Sequence, residues 1–330
     1  MKNLSIKLFL VFLISFVFWG CEENFSPKTE TKETIFLYGI LKADDTPYSS
    51  TQIAVLTKVY DVDGFDPSNN TIDPTIKDAT VTLTIGNRQI VLNQDSIKTN
   101  YQNRTKQFFY STSAKIYSYD SLSLSAKLKN GKTLIGRTRT PKYLGFEFSY
   151  PYNHGFTTNL NQVIPVNSWT IIWSNSNSQH LLFPKMLIVY NKRVNGEFIQ
   201  NSIEVPIKLI TRNGVKEPYY ATYMYGYEIA YSFEAFDYAM AKLSDGDTDK
   251  ANYTIIGLDF SIVEFDSPLT SYYSVTNGYL DEYSIRSDLN IYSNVSGGYG
   301  IVGAMFTSGF TKNVDVQYIS SFGYGFVGYL

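Results

Sequence analysis

Val81, Leu83 and Ile85 alternate with Thr82 and Thr84, and this two-residue period, which gives a strand one apolar and one polar face, recurs along the chain from Ile35 onward. "TIFLYGILKA" is an apolar run closed by "DDTPYSS", and "TQIAVLTKVY" ends in the Asp-, Asn-, Gly- and Pro-rich "DVDGFDPSNNTIDP". "KDATVTLTIGNRQIVL" predicts a hairpin reversing over Gly86–Arg88, and "KQFFYSTSAKIY", "SLSLSAKLK" and "KTLIGRTRTP" add further strands, the last two joined by an Asn130-Gly131 turn. Six or seven short strands with no helical period between them predict a β-sandwich of immunoglobulin or prealbumin type over 35–141, closed by Pro141.

A second β-rich region, 142–330, opens with "YLGFEFSYPYN". Trp169, Ile171 and Trp173 share one strand face, and two strands flank an Asn195-Gly196 turn, a fibronectin type III-like pattern in which both tryptophans are expected as core plugs. The period changes at "SFEAFDYAMAKLSDGD": Phe233, Phe236, Met240 and Leu243 recur every three or four residues, which predicts a helix. "SPLTSYYSVTNGYLDEYS" predicts a second short helix, with Leu269, Tyr272, Tyr273 and Thr276 on a common side. The glycines of "LNIYSNVSGGYGIVGAMFTSGF" suit close backbone approach in strands, not a helix. The fold class expected is mainly β, with one or two short helices inserted in the second domain.

The amino end departs from this pattern. Lys2 and Lys7 precede an apolar run from Leu8 to Gly20, which as a helix rises about 20 Å, too short for a bilayer core of about 30 Å. Residues 1–20 are expected to be an export signal. The single cysteine, Cys21, then stands where lipoprotein processing leaves an acylated amino terminus, with Gly20 fitting a lipobox and Phe18 and Trp19 departing from it. Two or three acyl chains on Cys21, palmitate among them, hold a protein stably at a membrane. The polar stretch 21–34 reads as a tether. Glu22 and Glu23 have two readings, a sorting signal toward the cell surface or a solvated linker.

With 28 basic and 30 acidic residues the chain has no polybasic block, which argues against nucleic acid as a partner. Aromatic residues make up 16%, including 28 Tyr, and tyrosine serves both sheet surfaces and ligand platforms. The densest cluster, "YYATYMYGY", alternates so that Tyr219, Tyr223, Tyr225 and Tyr227 fall on one face of a strand, beside Tyr220. That face is a platform for a glycan or peptide if it points outward and core if inward.

Candidate chemistry is sparse. The two histidines, His154 and His180, lie in polar loop sequence with no adjacent partner for a metal site or a Ser-His-Asp arrangement. Asp245, Asp247 and Asp249 begin like a calcium loop, but Lys250 and Ile256 stand where the loop needs Gly and Glu, so a solvated turn is the competing reading. Asp61, Asp63 and Asp66 pose the same choice. "SNVSGGYGIVGA" lacks the Lys and helix of a phosphate loop. No cofactor is implied and no catalytic residue singled out.

The Cys21 start, "IFLYGIL", "IKDATVTLTIGNRQIVL" and above all "NIYSNVSGGYGIVGAMF" together resemble a family of uncharacterised Bacteroidota outer-membrane lipoproteins, a domain of unknown function often encoded beside TonB-dependent receptors. The chain departs from that family in its Tyr-rich middle and in "YLDEYSIRSDL". The resemblance implies an outer-membrane address, on the periplasmic or cell-surface face, and a TonB-dependent receptor as partner. The function expected is a non-enzymatic, lipid-anchored binding or accessory protein for nutrient uptake. The alternative is a structural, adhesion or assembly protein of the envelope that binds another protein, with a hydrolase ranked below both.

Overall fold

The computed structural model describes residues 34–44, 46, 48–58, 74–98, 106–149, 168–275 and 292–329. Cys21, Glu22, Glu23, Asp61, Asp63, Asp66, His154 and Thr276 lie outside the described residues. The protein is mainly β, as its alternation requires. In chain order the first strands are β1 (Ile35–Asp44), β2 (Ser50–Lys58), β3 (Thr80–Ile85), β4 (Arg88–Val91), β5 (Asn93–Lys98), β6 (Lys106–Ala114), β7 (Ser121–Lys127) and β8 (Thr133–Arg139). The β3–β4 hairpin turns over Gly86 and Asn87, where Gly86 adopts φ 56 without a side-chain penalty.

The chain continues through β9 (Gly145–Ser149), β10 (Ser168–Ser174), β11 (Leu182–Val194), β12 (Glu197–Glu204), β13 (Lys208–Arg212), β14 (Val215–Tyr219) and β15 (Glu228–Ser232). Helix α1 (Phe233–Lys242) follows, capped by the Ser232 hydroxyl, which accepts from the Ala235 N–H. Then come β16 (Tyr253–Phe265), α2 (Ser267–Val275), β17 (Val295–Ser296), β18 (Tyr299–Lys312), α3 (Val316–Ser321) and β19 (Gly325–Phe326). Both helices expected from the sequence are present, and their apolar faces are buried: Phe233, Phe236 and Met240 on α1, and Leu269, Tyr272 and Tyr273 on α2.

A nine-stranded sheet runs in the order β12-β11-β16-β18-β1-β2-β6-β5, with β19 beside β16; the other sheets are β17-β8-β7-β3-β4, β15-β10-β9 and β13-β14. Strands from both sides of Pro141 thus share the large sheet, because β18 pairs in parallel with β1 from Phe36↔Tyr299 to Asp44↔Thr307. Two main cores form, and the first also draws on residues beyond Pro141. One joins β1, β2 and β6 to the five-stranded sheet through Leu37, Leu56, Leu83 and Leu124. The other joins β11 and β16 to β9, β10, β15 and α1, around Trp169, Ile171, Trp173, Phe236 and Phe260. Both tryptophans are core residues, and Trp173 Nε1 donates to Gly226 O at 3.1 Å.

β18 is the element common to both cores. Val302, Ala304 and Phe306 pack in the first and Phe310 against the second, while Ile301 and Met305 on the opposite face meet α2. Its glycines permit this closeness. Gly300 has φ 121, and a Cβ there would stand 2.0 Å from Leu37 O; a Cβ on Gly303 would stand 2.4 Å from the Leu269 side chain of α2. Gly303 therefore sets how closely α2, and with it the start of that helix, seats on the sheet.

Candidate functional site

The amino end of α2 lies beside a cleft of about 480 Å³. Its walls come from four places in the chain: the turn at Tyr119, the end of β8 with Thr138–Lys142, the loop Asn175–His180 before β11, and Glu264–Pro268 where β16 turns into α2. Polar side chains dominate, but the two carboxylates at its floor are almost fully buried, Glu264 at 1% exposure and Asp266 at 2%.

Glu264 follows from the strand period. Leu258, Phe260 and Ile262 point into the second core, and two residues on, Glu264 occupies the same inward phase at the strand's end, paired in register with Leu182 and Phe306. Its Oε1 lies 2.8 Å from His180 Nδ1 and accepts the Asn177 N–H at 3.3 Å, while Oε2 is enclosed and takes no hydrogen bond among the described residues. A carboxylate only accepts, so His180 Nδ1 donates to Glu264, and in the neutral tautomer this leaves Nε2 as an acceptor. His180 Nε2 lies 3.1 Å from the Ser267 hydroxyl, which donates to it in that tautomer.

The loop holding His180 is fixed from several sides. Asn177 Oδ1 accepts the Gln179 N–H and Asn177 O accepts the His180 N–H, making two local turns, and the Leu181 N–H donates to Thr270 Oγ1 at 2.9 Å on α2. Leu181 O in turn accepts the Phe265 N–H.

Asp266 is the junction of three elements. Oδ1 caps α2 by accepting the Leu269 N–H at 2.8 Å, and Oδ2 accepts the Ala304 N–H of β18 at 2.6 Å and the Thr138 hydroxyl of β8. These bonds favour the charged form, yet burial outweighs them and pushes the carboxyl up to about 7. The opposite wall is cationic. The Arg139 guanidinium lies 4.6 Å above the Tyr119 ring and Lys142 Nζ 5.2 Å from it, and among the described residues neither forms an ion pair.

The sequence found no partner for His180; the structure supplies two, Glu264 and Ser267, which are 84 and 87 residues further along the chain. The signal that could have found Glu264 is a lone carboxylate on the inward phase of an apolar strand. Tyr219, Tyr223, Tyr225 and Tyr227 line no part of this cleft, nor do they share the strand face expected for them. Strand β14 ends at Tyr219, and the following residues change partners: Met224 exchanges two backbone bonds with Leu182, and Tyr227 O accepts the Trp173 N–H. Tyr219, Tyr220, Tyr225 and Tyr227 are exposed, whereas Tyr223 packs against Phe183 at 6.3 Å between ring centres.

Asp247 and Asp249 spend oxygens on their own turn. Asp247 accepts the Asp249 N–H and the Tyr253 hydroxyl, and Asp249 accepts from Asn252 Nδ2. Asp245 takes φ 47 beside them. Among the described residues no three His, Cys, Asp or Glu side chains converge as a metal site. No protein-family model matches the chain, and no curated protein sequence matches it.

Proposed function

We propose that this chain is a lipid-anchored accessory protein of the bacterial outer membrane, held through Cys21, that captures a polar ligand in the cleft around His180 for a TonB-dependent uptake system. The observation that carries the ligand-binding part is the pair of cations at the cleft wall. Arg139 and Lys142 are held over Tyr119 without acidic partners among the described residues, although Arg139 also donates through Nε and Nη2 to Ser121 Oγ. A cleft of this size with a few placed polar groups suits a small ligand. The address rests on the charged and apolar amino end, Cys21 and the resemblance of "NIYSNVSGGYGIVGAMF" to outer-membrane lipoproteins.

Affinity isolation of the acylated protein from outer membranes tests the reading. Co-purification of a transporter barrel supports it, and isolation of the protein alone from mildly solubilised membranes contradicts it.

A second reading, docking of a protein partner, is favoured by the edge of the large sheet. Among the described residues strand β12 has an open edge, and it exposes Phe198 and Ile199, which suits addition of a strand from another chain.

A further inference from the structure

The geometry points to a hydrolytic centre in the cleft: Ser267 Oγ is the nucleophile, His180 its general base, and Glu264 the carboxylate that orients the imidazole, with a carboxylic ester bearing an anionic group as substrate. This goes beyond ligand capture and does not depend on the membrane address.

The order of contacts is the first argument. Nucleophilic catalysis by serine needs a base nitrogen on the hydroxyl and an acid on the other nitrogen, and here Nε2 meets Ser267 at 3.1 Å while Nδ1 meets Glu264 at 2.8 Å. Burial is graded in the direction the chemistry requires. Glu264 is 1% exposed, the His180 side chain 12%, and Ser267 is open to the cleft.

A purely structural role leaves two features without a purpose. The loop is already pinned to α2 through Leu181 and Thr270, so the serine bond adds no necessary tie. The enclosed Oε2 of Glu264 has no partner among the described residues, and a buried carboxylate with an idle oxygen is costly. That carboxylate has one nearby use, stabilising the imidazolium that forms when His180 takes a proton.

The reaction balances with water as the only co-substrate. Ser267 Oγ attacks the acyl carbon as its proton passes to His180 Nε2, and the C–O bond to the alcohol breaks as Nε2 returns that proton to the departing alkoxide. Water then attacks the acyl-serine, gives its proton to Nε2, and the acid leaves as Ser267 regains its proton. Arg139 and Lys142 hold the anionic group, since neither has an internal counter-charge among the described residues.

Stabilisation of the tetrahedral oxyanion is limited. Pro268 has no N–H and the Leu269 N–H is engaged by Asp266, which leaves the Ser267 N–H, without a hydrogen bond among the described residues, as the main-chain donor at the head of α2. One missing donor costs about 10²–10³ in turnover, so acylation of Ser267 and hydrolysis of the acyl-serine are both slow, and a reactive covalent probe reports the site best.

The test is covalent labelling of the full-length protein, extracted in detergent, with a fluorophosphonate probe and peptide mapping of the adduct. The expected result is one adduct per chain on Ser267, abolished by Ser267→Ala and reduced at least tenfold in rate by His180→Ala and by Glu264→Gln. Because Ser267 is exposed, Ser267→Ala leaves the melting temperature unchanged, which separates loss of the nucleophile from loss of the fold. Absence of an adduct on folded wild-type protein, or an adduct that persists in Ser267→Ala, overturns the assignment and leaves the uptake reading standing.

Discussion

His180 Nδ1 lies 2.8 Å from Glu264 Oε1, joining a loop before β11 to the far end of β16 through a carboxylate that is 1% exposed. Breaking a buried pair by removing one partner strands the other. His180→Ala is expected to lower the unfolding free energy by about 1–3 kcal/mol, because among the described residues Glu264 then keeps only the Asn177 N–H. Adding Glu264→Gln to that variant recovers part of the loss, with a coupling of roughly 0.5–3 kcal/mol in a double-mutant cycle read by urea unfolding. Strict additivity of the two changes contradicts the pairing.

Asp266 makes stability depend on pH. Its folded value is raised from 3.8 to about 7, so the folded state binds the proton more tightly than the unfolded chain does. This contribution to stability is fully present below about pH 4, and it is lost as pH rises through about 7. The whole effect is about 4 kcal/mol in order of magnitude. Asp266→Asn removes this part of the slope between pH 4 and 7, although it also leaves the Ala304 N–H facing an amide. Chemical unfolding of both proteins across that range checks it, and parallel curves contradict the assignment.

Glycine substitutions separate fold from site. Gly300→Ala places a methyl group 2.0 Å from Leu37 O at φ 121, against main chain that cannot yield, and is expected to abolish folding. Gly303→Ala meets the Leu269 side chain at 2.4 Å and Asp266 Oδ1 at 3.0 Å, and overpacking of this kind costs about 1–3 kcal/mol. Because α2 carries Ser267, the second variant is expected to stay folded by circular dichroism while losing at least tenfold in labelling rate. Full labelling in a folded Gly303→Ala protein contradicts the proposed seating of α2.

Much of this architecture is legible in the sequence, and the exceptions have physical causes. Alternation located the β3–β4 hairpin and the Trp169–Trp173 strand, because one buried face forces a two-residue period on its own strand. The three-four spacing located α1 and α2 for the same reason. What local pattern does not encode is which strands meet. The β1–β18 pairing brings Leu37 beside Gly300, and nothing near either residue announces it beyond a density of glycine. His180 was unpartnered in sequence because its partners come from the strand and helix that β18 holds in place. The tyrosines do not share one strand face because alternation has meaning only inside one strand, and residues 219–227 pass between three different partners.

The membrane address has its own test. Cys21→Ser is expected to move the protein from the membrane to the soluble fraction, and Glu22→Ala with Glu23→Ala to reduce its cleavage by protease added to intact cells. Membrane retention of the serine variant contradicts the lipid anchor, and unchanged cleavage contradicts the sorting role of the acidic pair.

The most direct measurement of whether the cleft performs chemistry is the initial rate of ester hydrolysis by wild-type and Ser267→Ala proteins on two p-nitrophenyl esters, acetate and hemisuccinate. The account predicts faster cleavage of the anionic hemisuccinate, a preference lost in Arg139→Ala, and a fall of at least a hundredfold in rate for both esters in Ser267→Ala at unchanged melting temperature. Equal rates for wild type and Ser267→Ala would contradict it.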